Sequence, residues 1–342
     1  MKRKFTFLRF LCLAILTECG LLTAQTNKAT QDLPTEKGVA PSSSGPAAPN
    51  PLQVALLKWY QANTVTNFAV GAQPCGVAFD GANIWTANYG AGTVTKLAAN
   101  DGTVLGTYTI GDGVEPYGIT YDGANIWVSN VAAATVTKMQ ASTGKILGTF
   151  PVGTFSAPPG WMAFDGANIW VPNGTNTLSK LQASTGKNLG NFTIGNGPLA
   201  AVFDGSNVWV TNAGDGTVSK VRASDGTVLG TFAVGSRPSG IAFDGSNIWV
   251  ANRYDGTVTE LQASNGNTLG TFSLNPGMAP YGVAFDGANI WVTSSKGVAE
   301  LSDSNGTILG VFQTPSPNTV GVAFDGSGIW VAGLNKNIVS KF

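Results

Sequence analysis

The chain repeats one short phrase seven times: an aromatic residue, then Asp-Gly, then Trp five positions after the Asp. The pairs are Asp80 and Trp85, Asp122 and Trp127, Asp165 and Trp170, Asp204 and Trp209, Asp244 and Trp249, Asp286 and Trp291, and Asp325 and Trp330. Successive Asp residues are 42, 43, 39, 40, 42 and 39 positions apart. A period of about forty residues belongs to stacked or radial repeat folds, in which each unit buries its apolar face against its neighbours. Residues present in every copy serve the repeat itself, so a specific function must lie where the copies differ.

Each copy parses into four short strands. In the fifth these are 240–243, 247–251, 257–261 and 268–274, rich in β-branched and aromatic residues and separated by Asp-Gly or Asn-Gly turns. Four antiparallel strands per repeat make a propeller blade. The last copy stops at 337–342, one strand short, while Val65-Thr-Asn-Phe-Ala-Val-Gly71 matches the fourth strand of other copies and has no blade before it. Pairing the two segments completes a seventh blade and removes the open sheet edges. The sequence therefore predicts an all-β, seven-bladed β-propeller over 64–342, its ring closed by the N-terminal strand.

The preceding residues read differently. Residues 1–24 carry a basic start (Lys2, Arg3, Lys4), an apolar run and Leu22-Thr23-Ala24, the pattern of a secretory signal peptide. A lipoprotein signal using Cys19 is the alternative, although Glu18 stands where such signals use a small residue. Residues 25–50 form a polar, Pro- and Ser-rich linker that cannot bury a core. Asn50-Pro51, followed by Leu52, Ala55, Leu56, Trp59 and Tyr60 at helical spacing, predicts a short amphipathic helix over 51–62. The expected location is secreted, periplasmic or at a bacterial cell surface, with no transmembrane segment.

Without residues 1–24 the chain holds 15 basic and 18 acidic side chains, which gives no electrostatic case for nucleic acid. There is no His, and Cys75 is the one Cys left, so neither a His-based triad nor an ordinary zinc site can be assembled. Catalytic residues, metal ligands and cofactors are accordingly expected to be none, and the domain is expected to be a monomer. The seven Asp residues invite a metal reading and the seven Trp residues a sugar-platform reading. Both sets are read instead as scaffold, Asp satisfying turn amides and Trp filling the core. The Asn after the second strand (Asn88, Asn130, Asn173, Asn212, Asn252) is read as a turn-former bonding nearby backbone.

Trp209-Val-Thr-Asn212 and Trp249-Val-Ala-Asn252 are close to the Tyr-Val-Thr-Asn signature, and on these residues the chain resembles the YVTN-type β-propeller repeat family. That resemblance implies a secreted, periplasmic or surface-layer propeller. In its Gly-aliphatic-Ala-hydrophobic-Asp and Ile-Trp strands the chain is also similar to streptogramin B lyases, seven-bladed propellers that use His, Glu and a magnesium ion. Here no His exists and the second strands end in Asn, so no position receives those catalytic roles.

In a propeller the loop between second and third strands and the connection to the next blade emerge on one face. Those segments vary between copies, whereas the turns of the opposite face are near copies of one another. The first-strand entrances vary too: Cys75, Tyr117, Gly160, Leu199, Ser239, Tyr281 and Val320 hold equivalent positions. The candidate ligand-binding face comprises Tyr89, Tyr117, Trp161, Arg237, Arg253, Tyr254, Tyr281 and Lys296, with Glu115 nearby. Aromatic anchors with charges of both signs suit a protein, peptide or glycan partner. The leading expectation is a non-enzymatic binding or scaffold module. A divergent lyase-like enzyme using carboxylates and a metal, and a purely structural surface protein, are the alternatives.

Overall fold

The computed structural model describes residues 65–111, 113–153, 161–173 and 176–342, all within one compact unit, Leu56–Phe342. The expected signal peptide, linker and helix lie outside these residues. Among the described residues, 28 strands, numbered β1 to β28 in chain order, make seven four-stranded antiparallel sheets. The first complete blade is β2 (Pro74–Phe79), β3 (Asn83–Asn88), β4 (Thr93–Ala98) and β5 (Val104–Thr109), hydrogen-bonded in that order. The closing blade joins β26 (Thr319–Phe324), β27 (Ile329–Gly333) and β28 (Ile338–Lys341) to the N-terminal β1 (Thr66–Ala69). Thr66 pairs with Lys341 and Ala69 with Ile338, so β1 and β28 close the ring as the sequence register predicts.

The repeated phrase is a structural joint. In every blade the Trp indole donates to the Asp Oδ2 at 2.7 Å. The other oxygen accepts the backbone N–H groups two and three residues on, as in Asp204 with Ser206 and Asn207 at 2.9 and 2.6 Å. One carboxylate thus closes the hairpin and holds the ring. Six of the seven Trp side chains have no exposed surface. Each packs on the fourth-strand aromatic of its own blade, or on Phe68 in the closing blade, at 5.2 to 5.8 Å between centroids. The core lies between blades: Trp209 and Val218 of the fourth blade share one cluster with Ile248, Val250 and Leu261 of the fifth.

A second joint was invisible in the strand pattern. The buried third-strand Lys220 reaches across the seam, its Nζ donating to Ala263 O at 2.7 Å and lying 5.0 Å from the Trp209 ring centroid. Lys96, Lys138, Lys180 and Lys341 repeat this. At Asp325, burial would raise the carboxyl, but Lys341, Trp330 and Ser327 outweigh it and bring the pKa down to about 2.

The fifth and sixth blades put Glu260 and Glu300 at the lysine position. Burial pushes Glu260 up, Asp244 and Asp303 push it further, and Asn247 opposes them. A carboxyl raised in the fold favours its neutral form. Its share of stability is present below the ordinary value of 4.5 and is lost as pH rises through the folded pKa. Glu260→Gln, which keeps an acceptor for Asn247, should therefore melt higher than the parent by about a degree or two at neutral pH. That advantage should vanish in thermal scans near pH 3.5 to 4 (about half a unit below the free carboxyl); an equal gain at both pH values would overturn the assignment.

The Asn after the second strand corrects an expectation. Its Nδ2 goes to side chains: Asn88 Nδ2 donates to Thr93 Oγ1 at 3.0 Å and Thr95 Oγ1 at 2.9 Å, and Asn130, Asn212 and Asn252 make the equivalent pairs, while backbone bonding is kept at Asn252, whose Oδ1 accepts Gly235 N–H at 3.0 Å. These amides are buried, so the Thr or Ser hydroxyls of the third strand are the partners within reach.

Candidate functional site

The two faces differ in backbone as well as sequence. On the uniform face, glycine takes every left-handed position of the described hairpin turns, as in Gly81, Gly102 and Gly123. Among the described residues the five non-glycine residues with positive φ, Gln73, Glu115, Ala134, Arg237 and Asn337, all lie in loops of the variable face. Gln73, Glu115 and Arg237, at φ 51 to 52°, immediately precede the first-strand Pro of their blades, where the fourth blade uses Gly197 at φ 64°. Holding a side chain there costs on the order of 1–2 kcal/mol over glycine. The loops are tied down with Gln73 exposed and Glu115 and Arg237 half-buried: Tyr89 N–H donates to Gln73 O, Val131 N–H to Glu115 O and Arg253 N–H to Arg237 O at 2.9 to 3.1 Å.

Trp161 shapes the axis. Its position is glycine in five other blades (Gly76, Gly118, Gly240, Gly282, Gly321) and Ala200 in the remaining one. A bulky side chain at one of seven such positions projects where first strands otherwise converge with nothing larger than the Ala200 methyl. The indole packs against Tyr117 at 6.3 Å and Tyr281 at 5.7 Å between centroids. The Tyr117 and Tyr281 hydroxyls, from the second and sixth blades, hydrogen-bond to each other. With Cys75 and Val320 they form an apolar plug. A cavity of about 410 Å³ lies against Trp161, lined by Val77, Ile119, Met162, Ile241 and Val322 among others.

At the variable mouth is a cavity of about 300 Å³, bounded by Gln73, Cys75, Tyr89, Tyr117, Arg253, Ala279, Tyr281, Ser295, Asn318, Thr319, Val320 and Leu334. Tyr89 meets Tyr117 edge-on at 6.1 Å. The Arg253 guanidinium lies 4.8 Å from the Tyr281 centroid. Burial raises the Tyr89 hydroxyl, helped by the neighbouring Glu115 carboxylate. Burial, Tyr281 and Cys75 raise Tyr117 well above the usual phenol range. Burial pushes the Cys75 thiol up to about 12, which keeps it protonated and a poor nucleophile.

Of the eight residues expected on this face, Tyr89, Tyr117, Trp161, Arg253 and Tyr281 come together. Arg237 and the exposed Tyr254 form an adjoining pair, 5.2 Å from guanidinium to ring centroid. Tyr117 is buried and meets the cavity as its floor. Lys296 stands apart, its Nζ donating to Pro276 O at 3.0 Å. Gln73, Asn318 and Thr319 were missed, although Gln73 shares the register of Glu115 and Arg237 and was legible on that ground. Among the described residues no group of three or more acidic or Cys side chains is placed to share a metal ion, and no helix is long and apolar enough to cross a membrane.

The fold and its plugged axis define a seven-bladed β-propeller with one variable mouth. The family model described as outer membrane protein assembly factor BamB matches residues 122–270. Among solved structures, a streptogramin B lyase is similar at 16% identity and TM-score 0.70, covering 81% of this chain and 96% of the other. Virginiamycin B lyase from Staphylococcus aureus is similar at 18% identity and TM-score 0.70, covering 81% and 98%. A catalytically inactive histidine-to-alanine variant of the Staphylococcus aureus enzyme, with quinupristin, gives 19% identity, TM-score 0.69 and the same coverage. Among curated proteins no sequence matches. The expected likeness to streptogramin B lyases is thus present in the fold, whereas the matching family model is the BamB one rather than that of YVTN repeats.

Proposed function

We propose that this chain is a binding module of the bacterial periplasm or envelope that engages a protein partner through its variable mouth. The observation that carries the reading is that, among the described residues, the strained, side-chain-bearing left-handed positions are confined to that face, around an aromatic and charged cavity. Strain held where glycine would relieve it marks a site kept for a use other than folding. The signal-like residues 1–24 and the match to a BamB model, whose description is an assembly factor of the outer membrane, support the location and the partner class.

The test compares Arg237→Ala/Arg253→Ala/Tyr254→Ala with a control altered on the uniform face, Lys145→Ala/Lys187→Ala/Arg222→Ala. Proteins captured from envelope extracts should be lost with the mouth variant and kept with the control, both variants melting within a few degrees of the parent (surface changes being within about 0.5 kcal/mol each). Capture of the same set by both variants would sink the proposal.

A further inference from the structure

Arg237 and Arg253 stand at the ends of the first two strands of the fifth blade on the same sector of the mouth, each with its guanidinium over a tyrosine ring: Arg253 over Tyr281 at 4.8 Å, Arg237 over Tyr254 at 5.2 Å. Among the described residues neither has an ion-pair partner, the two ion pairs being Arg222 with Asp225 and Lys341 with Asp325. Carboxylates of the neighbouring loops are engaged elsewhere. Asp255 Oδ2 accepts Ser236 N–H at 2.6 Å, Asp215 takes Asn196 N–H and Nδ2 at 2.8 and 2.9 Å, and Glu115 stands beside Tyr89. A guanidinium held over a ring keeps N–H donors for a ligand, and its planar fork matches a carboxylate bidentately. Arg253 borders the mouth cavity, and Arg237 is held beside it on a left-handed backbone at φ 52°.

We propose that Arg253, with Arg237 beside it, recognises a carboxylate presented by a peptide, whose adjacent side chain enters the cavity over Tyr117. This rests on the reading of the variable mouth as a binding surface and gives that surface its ligand chemistry. A peptide fits better than an acidic sugar. A sugar needs a bare aromatic face, whereas Trp161 packs against Tyr117 and Tyr281, Tyr254 and Tyr281 each carry an arginine over the ring, and Tyr89 is set edge-on to Tyr117. Tyrosine and arginine clustered around a pocket are instead the usual anchors of protein interfaces.

The experiment uses the intact chain and fluorescent peptides with one aromatic residue. One arm carries adjacent Asp or Glu with blocked ends, one carries Asn or Gln at the same places, one is neutral with a free C-terminal carboxylate, and polygalacturonate is the fourth. A carboxylate-bearing peptide arm should bind about tenfold or more tightly than the amide arm, and the first and third arms tell side-chain from terminal carboxylate. Arg253→Gln should abolish the preference and Arg253→Lys restore it only in part, lacking the planar fork. Arg222→Gln, on the opposite face, should leave it unchanged. Equal binding of acid and amide arms, retention of the preference by Arg253→Gln, binding of polygalacturonate alone, or no binding in any arm would each overturn the assignment. If envelope proteins are still lost by the mouth variant, the binding reading survives that failure; if the mouth variant keeps them, both fall.

Discussion

Trp209→Ala should lower the stability of the domain by about 3–5 kcal/mol, the range for deleting a fully buried aromatic. Three contacts go at once. The indole has no exposed surface, its N–H satisfies Asp204 at 2.7 Å, and its ring lies between Phe232 and the Lys220 ammonium. The loss crosses the seam as well, because Ile248, Val250 and Leu261 of the next blade pack in the same cluster. Urea unfolding should show a lower midpoint, with ligand capture intact wherever the protein stays folded. A variant that kept its midpoint but lost capture would make Trp209 a binding platform and refute the scaffold reading of all seven.

Why so much of the fold was legible follows from that joint. Asp-Gly, five-residue spacing and Trp each fix one thing: a hairpin turn, the register of two strands, and the side that faces the neighbour. Seven copies then fix the blade count, and the truncated copy ending at Phe342 identifies β1 as its missing strand. The site was legible only as a set of divergent positions. Nothing in a linear reading tells that Tyr117 and Tyr281, 164 residues apart, touch across the axis, since that depends on ring closure rather than on local pattern. The same holds for Trp161, which is informative once its glycine counterparts are known to converge. Lys220 was unreadable for a different reason: a Lys on a strand signals solvent, and its burial comes from a carbonyl that the next blade presents.

Gly321→Ala should be markedly damaging for the addition of a single methyl. The substitution needs no unusual backbone; its cost is approach. A Cβ there would run into the carbonyl oxygen of Cys75 and come within 2.9 Å of Val77 N, both backbone atoms of β2. Backbone cannot swing aside as a side chain does, so β26 and β2 must part at the seam where the last blade meets the first. Overpacking of this kind costs about 1–3 kcal/mol and occasionally more, and here it falls on the contact that closes the ring. Ala200 occupies the same register in the fourth blade, buried and tolerated, which shows that the spacing of neighbouring first strands decides the outcome and not the strand itself. Unfolding in urea should register the loss. Hydrogen exchange should show it concentrated in β1, β28 and β2, with blades three to five protected as before. Because Cys75 and Val320 line the mouth cavity, parting these strands should also weaken peptide binding without any change to Arg253. Unchanged stability, or faster exchange spread evenly over all blades, would mean that the first strands slide cheaply and that closure is carried by the β1 to β28 pairing alone.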